Sequence, residues 1–195
     1  MLCSGSGTNL HAIIDGVKSG YIPARIALVV SDNKDAFALT RAKNAGIETL
    51  LLNPGDFRTR EELDREIVRN LKKKGVRLVA LAGFMRVLSL YFIKEYKNRI
   101  INIHPALLPA FKGTHGIKDA LIYGVKVTGP TVHFVDEKLD HGPIILQRAV
   151  EVKDGDTEKT LLARVHAEEH KIYPEAIKLF VEGRLKIKGR KVEIR

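Results

Sequence analysis

Four short stretches of this chain carry side chains able to do chemistry. Asn102-Ile103-His104-Pro105 ends an apolar run, and Ala106-Leu107-Leu108-Pro109 continues it. Side chains alternate along a strand, so Asn102 and His104 share a face. In open α/β sheets ligands gather at the carboxyl ends of strands. An Asn amide offers a fixed hydrogen bond to a developing oxyanion, and an imidazole donates or carries a proton. Asp140, within Leu139-Asp140-His141-Gly142-Pro143, is the candidate partner of His104. A carboxylate beside an imidazole raises the ring's pKa above its ordinary value of about 6.5 and enlarges the cationic fraction at neutral pH. Without that partnership the Asp segment reads as a plain turn before Gly-Pro.

The second stretch is Ser4-Gly5-Ser6-Gly7-Thr8-Asn9, which leads straight into an amphipathic run from Leu10 to Val17. Glycines let the backbone approach a ligand, and a helix N-terminus favours an anion. Leu10 stands where a dinucleotide turn wants a small residue, and no Gly-Lys-Ser/Thr follows, so both common nucleotide fingerprints fail. What remains is a site for one phosphate, held by the backbone with Thr8 and Asn9, against a plain turn with Asn9 as helix cap. The third stretch, His166-Ala167-Glu168-Glu169-His170, matches the inverted zinc-peptidase signature. Only 25 residues follow it, with few carboxylates among them, so zinc is disfavoured. More informative is that Leu162, Val165, Glu169, Ile172, Ala176 and Phe180 follow helical spacing. That puts Glu169 on an apolar stripe, where a carboxylate needs a partner or a ligand. Cys3, the single cysteine, has small and apolar neighbours and suits packing better than nucleophilic attack.

The elements that must position these residues alternate. Arg25 to Ser31, Glu48 to Leu52, Arg77 to Ala82 and Arg99 to Ile103 are short apolar runs of the kind buried on both faces of a sheet. Amphipathic helices lie between them: Leu10 to Val17 with Gly20 just past its end, and Thr59 to Lys74 with a capping box of Thr59 and Glu62. Extended stretches follow from Val127 to Val135 and from Ile144 to Val152, then a long helix from Thr157, expected to kink at Pro174. Leu185 to Lys188 and Val192 to Ile194 flank Gly189-Arg190 as a small hairpin. This order predicts an α/β fold, a mostly parallel sheet with helices on both faces. Only Met1, Leu2 and Cys3 precede the glycine turn, so the first strand is a stub or the natural start lies further upstream.

At 195 residues the chain fits one domain, 1–195, with halves at about 1–100 and 101–183 and a basic tail at 184–195. No apolar run approaches the roughly 18 residues of a membrane span. One cysteine rules out an internal disulfide and suits a cytoplasmic location. The net charge of +10 admits nucleic acid, membrane or small anions as partners. The tail lacks the aromatics that stack bases, and the Lys72 to Lys74 run suits a helix C-terminus. Small molecules are therefore the expected partners, with neither nucleic acid nor membrane.

Four motifs in register now stand out: Ser4 to Leu10, Leu81-Ala82-Gly83-Phe84-Met85-Arg86-Val87-Leu88, Asn102 to Pro109, and Val132-His133-Phe134-Val135 through Leu139 to Gln147. Together they resemble the phosphoribosylglycinamide formyltransferase family, from the first residues to about Gly183. The resemblance implies a Rossmann-like formyltransferase fold and transfer of a formyl group from 10-formyltetrahydrofolate, a cosubstrate, to the amine of 5′-phosphoribosylglycinamide in purine synthesis, with no metal. By the same resemblance Asn102, His104 and Asp140 are the catalytic trio, with Asn102 and protonated His104 stabilising the charge that grows on the formyl oxygen. Gly7, Thr8 and Asn9 hold the substrate phosphate, Gly83 and Pro105 flank the glycinamide, and Glu169 reaches the ribose hydroxyls. Arg60, Met85, Arg86, Val87 and Leu88, with Asn102, Glu137, Lys138, Leu139 and Asp140, line the folate site. Methionyl-tRNA formyltransferase uses a similar trio, and a formyltetrahydrofolate hydrolase is the other alternative, but neither needs a ribose-phosphate turn. His141 departs from the Gly common at that place, the tail resembles a family-variable terminus, and the chain is expected to be a monomer or homodimer.

Overall fold

The apolar runs form strands shorter than their hydrophobic stretches, because each run also includes the residues that lead into the sheet. A computed structural model describes all residues, Met1–Arg195, which divide into two units, Met1–Ile101 and Asn102–Arg195.

In the first unit, β1 (Val29–Ser31) pairs in parallel with β2 (Thr49–Leu51). Leu2 bridges Val30 on one side and Leu81 of β3 (Val79–Leu81) on the other, both in parallel. Its N–H donates to the Ala80 carbonyl, and the Cys3 N–H donates to that of Val30. The stub strand therefore occupies a central place in the sheet, and Leu2 and Cys3 are fully buried. Burial pushes the Cys3 thiol up to about 11, which leaves it a packing residue. Helix α1 (Thr8–Lys18) buries Leu10, Ile13 and Ile14 and ends before Gly20. Helix α2 (Phe37–Asn44), which has too few apolar residues in period to be read from sequence, packs against α1.

Helix α3 (Arg60–Lys73) begins as expected at Thr59, whose side chain accepts from the Glu62 N–H. The reciprocal half differs: the Glu62 carboxylate takes the Arg58 N–H at 2.8 Å, one residue outside the expected box. Buried Asp64 on α3 accepts the Ser89 N–H at 2.6 Å. Ser89 in turn caps the short helix α4 (Leu90–Glu95). This fixes the far end of the Gly83 to Leu88 segment.

Strand β4 (Ile100–His104) carries the chain into the second unit. There helix α5 (Gly116–Tyr123) precedes β5 (Val127–Thr128), β6 (Thr131–Phe134), β7 (Ile144–Gln147) and β8 (Val150–Glu151). The two long extended stretches expected from sequence are each broken in two. Gly129 adopts φ +142 with the Arg148 carbonyl against it, so β5 leaves to pair with β8 while β6 pairs antiparallel with β7. Helix α6 (Glu158–Val181) is capped at Thr157, runs through Pro174 without ending, and lies on β6 and β7. The tail is a hairpin: β9 (Leu185–Lys188) is antiparallel to β10 (Lys191–Ile194), and β10 adds in parallel to β7. No helix is long and apolar enough to cross a membrane.

Candidate active site

In the first unit the Ser4 to Gly7 turn is shaped by its carbonyls. Ser4 O accepts from the Asn33 amide at 3.0 Å, Gly5 O from the Ala38 N–H at 3.1 Å, Ser6 O from Arg41 Nε at 3.0 Å and Gly7 O from the His11 N–H at 2.9 Å. Four successive acceptors are thus engaged. The first N–H groups of a helix have no intrahelical acceptor, and α1 has no side-chain cap. The turn therefore presents positive dipole ends, the arrangement suited to an anion. Gly7 caps the helix at φ +70, and a Cβ there would lie 2.7 Å from Ala38 Cα, so no other residue fits. Asn9 is inside the helix rather than its cap, which removes the plain-cap reading.

The Gly83 to Leu88 segment of this unit is anchored to the turn. Ser4 N donates to the Gly83 carbonyl, and Ser4 Oγ accepts the Met85 N–H at 3.1 Å while donating to Asp32 at 2.6 Å. Met85 and Val87 are exposed, whereas Leu88 is a core residue. Arg86 keeps its Nε buried with no hydrogen-bond partner. Arg60 and Arg86 both act electrostatically on Asp64, whose carboxyl is pushed up by burial despite its hydrogen bonds from Ser89 and these two cations.

In the second unit three buried rings and acids meet at the end of β4. His104 Nδ1 lies 3.5 Å from Asp140 Oδ2. His133 Nε2 lies 3.7 Å from Asp140 Oδ1 and 3.3 Å from the Asn102 amide. Asp140 also accepts the Gly113 N–H at 2.8 Å and adopts a left-handed φ of 44°. The expected trio is therefore brought together, but Asn102 joins it through His133. The sequence marks that histidine only as a polar residue inside the buried strand Thr131–Phe134. A bulge between Val132 and His133 aims its ring.

Two backbone groups complete the cluster. His104 Nε2 sits 2.7 Å from the Phe111 carbonyl, which requires the proton on that nitrogen. Gly116 leaves space beside the same ring; a Cβ would come 3.5 Å from His104 Nε2 and 3.2 Å from Phe111 O. Behind Pro105, Thr131 Oγ1 donates to the Ala106 carbonyl at 2.6 Å and accepts from Leu108 N and Gln147 Nε2. These bonds hold the segment that follows β4.

Electrostatics corrects one expectation. Burial drives the His104 pKa below its ordinary 6.5, and the Asp140 charge and the Phe111 carbonyl only partly restore it. The resting ring is therefore mainly neutral at pH 7, because desolvation penalises the cation more than the acid rewards it. Burial pushes the Asp140 carboxyl up, but the His133 ring, the Gly113 N–H and the charge on His104 outweigh it and hold the group below its ordinary 3.8. Asp140 is accordingly a carboxylate.

On α6, Glu169 is buried, with Oε2 3.9 Å from His166 Nε2. The His166 and His170 rings stack at 6.2 Å, and no group of three or more His, Cys, Asp or Glu is placed to hold a metal. The Asp136 to Asp140 loop turns on Asp136, whose carboxylate accepts the Lys138 N–H at 3.0 Å. Glu137, Lys138 and Leu139 are exposed.

The second unit sets a buried carboxylate between two imidazoles beside an amide, and the first presents a helix N-terminus, groups suited to the chemistry of a group-transfer enzyme. The chain belongs to the formyl transferase family, whose model matches residues 1–177. Within it, the chain is 46% identical over 187 residues to phosphoribosylglycinamide formyltransferase of Escherichia coli, covering 96% of this chain and 88% of that protein. It is 44% identical to a segment of the human trifunctional purine biosynthetic protein adenosine-3, of which it spans 18%. The fold superimposes on the crystal structure of glycinamide ribonucleotide transformylase 1 from Symbiobacterium toebii with a TM-score of 0.98 at 53% identity, covering 99% of this chain and 91% of that one. The protein is a formyltransferase of purine biosynthesis.

Proposed function

We propose that the chain transfers the formyl group of 10-formyltetrahydrofolate to the amine of 5′-phosphoribosylglycinamide, with Asn102, His104 and Asp140 as the catalytic trio. The observation that carries this assignment is the buried Asp140 carboxylate set between the His104 and His133 rings beside Asn102. The Ser4 to Asn9 turn is suited to the substrate phosphate. Glu169 is the candidate ribose ligand, Gly83 and Pro105 the glycinamide neighbours, and the Met85 to Leu88 and Glu137 to Asp140 segments, with Arg60, the folate site.

Chemistry follows from the proton positions. The neutral amine attacks the formyl carbon, and negative charge grows on the formyl oxygen. The Asn102 amide supplies a fixed donor for that charge. With its Nε2 proton committed to Phe111, His104 accepts a proton at Nδ1, the nitrogen facing Asp140, and the resulting imidazolium is stabilised by that carboxylate. A proton then passes from the attacking nitrogen to the departing folate nitrogen, carried by water or by His104. As the charged intermediate forms, the same ring adds positive charge to the site.

The direct test is a spectrophotometric formyl-transfer assay with phosphoribosylglycinamide, run with and without that acceptor. Acceptor-dependent turnover is expected. Folate turnover that ignores the acceptor would replace this assignment with a hydrolase.

A further inference from the structure

The loop from Asp136 to Gly142 carries Asp140, yet its middle residues are exposed and Asp140 itself stands at an uncommon positive φ. Its ends are fixed by the β6–β7 pairing, with the Phe134 N–H donating to the Pro143 carbonyl at 2.9 Å. Gly142 admits no Cβ, because one would run into the Phe134 carbonyl. Between these ends a third support arrives from 49 residues away. At the turn of the C-terminal hairpin, Gly189 adopts φ +60 and Arg190 reaches back to the loop. One guanidinium nitrogen donates to the His141 carbonyl and lies 3.9 Å from Asp136 Oδ2. The His141 ring, through Nδ1, bonds Asp136 Oδ2 at 2.7 Å. Both residues whose roles were left open by the sequence, His141 and the basic tail, meet at this point. Burial pushes the Asp136 carboxyl up, but the His141 bond, the Lys138 N–H and the Arg190 charge together hold it below its ordinary value.

We propose that Arg190 is a positioning residue of this enzyme: by fastening His141 and Asp136 it holds the Asp140 loop in its folate-binding, catalytically aligned form. The idea rests on the proposed reading of that loop as part of the folate site. Each contact is partly exposed, and an isolated surface ion pair contributes little. The effect comes from a bond to the peptide carbonyl directly after the catalytic residue, where small displacements carry large penalties in rate.

The test compares Arg190→Ala, Arg190→Lys and Lys188→Ala by steady-state kinetics and by amide hydrogen exchange of the intact enzyme. Lys188 pairs with Glu193 on the same hairpin at 2.7 Å and supplies no contact to the loop, so Lys188→Ala is expected to leave both readouts unchanged. Arg190→Ala is expected to speed exchange across residues 137–142, to raise KM for the formyl folate about tenfold and to lower kcat several-fold, with KM for phosphoribosylglycinamide within about twofold of wild type. Arg190→Lys restores most of the folate KM. Unchanged exchange with an unchanged folate KM overturns the proposal. So does an equal loss toward both substrates accompanied by a lower melting temperature, which would make Arg190 a fold-stabilising residue only. A wild-type enzyme inactive toward phosphoribosylglycinamide would overturn the assigned reaction instead, and exchange at 137–142 would still decide whether Arg190 fastens the loop.

Discussion

The anion turn of the first unit and the acid–imidazole cluster of the second are built from different parts of the chain's chemistry. The turn is built from main-chain groups: its carbonyls are drawn off by Asn33, Ala38, Arg41 and His11, leaving N–H groups and a helix dipole at the start of α1. The cluster works through side chains, with His104 at 4%, His133 at 2% and Asp140 at 9% exposure. A backbone site tolerates side-chain replacement except where the main chain itself needs glycine. A buried side-chain site tolerates almost none, since each group is both a reagent and a partner for the next.

That contrast breaks most sharply in the cluster. Asp140→Asn and His104→Ala are each expected to lower kcat by about two to three decades or more, with modest change in substrate binding. Wild-type-like turnover in either would remove the trio from the mechanism. Asn102→Ala removes a single oxyanion donor and is expected to reduce kcat by about two decades or somewhat more, measured with both substrates saturating. His133→Ala acts through Asp140 and Asn102 and is expected to cost on the order of tenfold. A His133→Ala/Asn102→Ala double variant no slower than Asn102→Ala alone would place the two on one path.

In the turn, Gly7→Ala meets Ala38 and a left-handed backbone at once, a conformational cost of about 1–2 kcal/mol before the clash. It should raise KM for phosphoribosylglycinamide and leave the formyl-folate KM alone; the reverse pattern would move the phosphate elsewhere. The pH profile gives a smaller effect. Folding lowers the His104 pKa, so the ring is neutral above 6.5 and charges only as pH falls through a lower value. Its contribution to stability is complete above 6.5 and is lost below it. The acid limb of kcat/KM should therefore begin below 6.5, and a limb above that value would contradict a neutral resting ring. Thr8→Ala, which spares the backbone, should have the mildest consequence, with a KM change of a few-fold read in the same assay.

Much of this arrangement was legible in the residues. Alternation along 102–104 put the amide and imidazole on one face, and the helix stripe correctly buried Glu169. Periodicity cannot show what reaches a site across tens of residues. The Phe111 carbonyl on His104, the Gly113 N–H on Asp140 and the Asp64 support for Ser89 all arise from loops folding back. The pKa of His104 lies beyond the sequence for a related reason: a neighbouring acid can be guessed from it, whereas the desolvation that outweighs that acid depends on everything packed around the ring. Strand lengths failed where a glycine conformation, at Gly129, redirected the chain to another partner.

The bulge between Val132 and His133 has a consequence for how such a chain can change over time. Strand faces alternate, so deleting or inserting one residue within β6 or β7 would exchange the inward and outward sets and swing His133 away from Asp140. Point changes there can be tried singly, but changes of length cannot. Changes of length in this part of the molecule are expected only where no ladder counts residues.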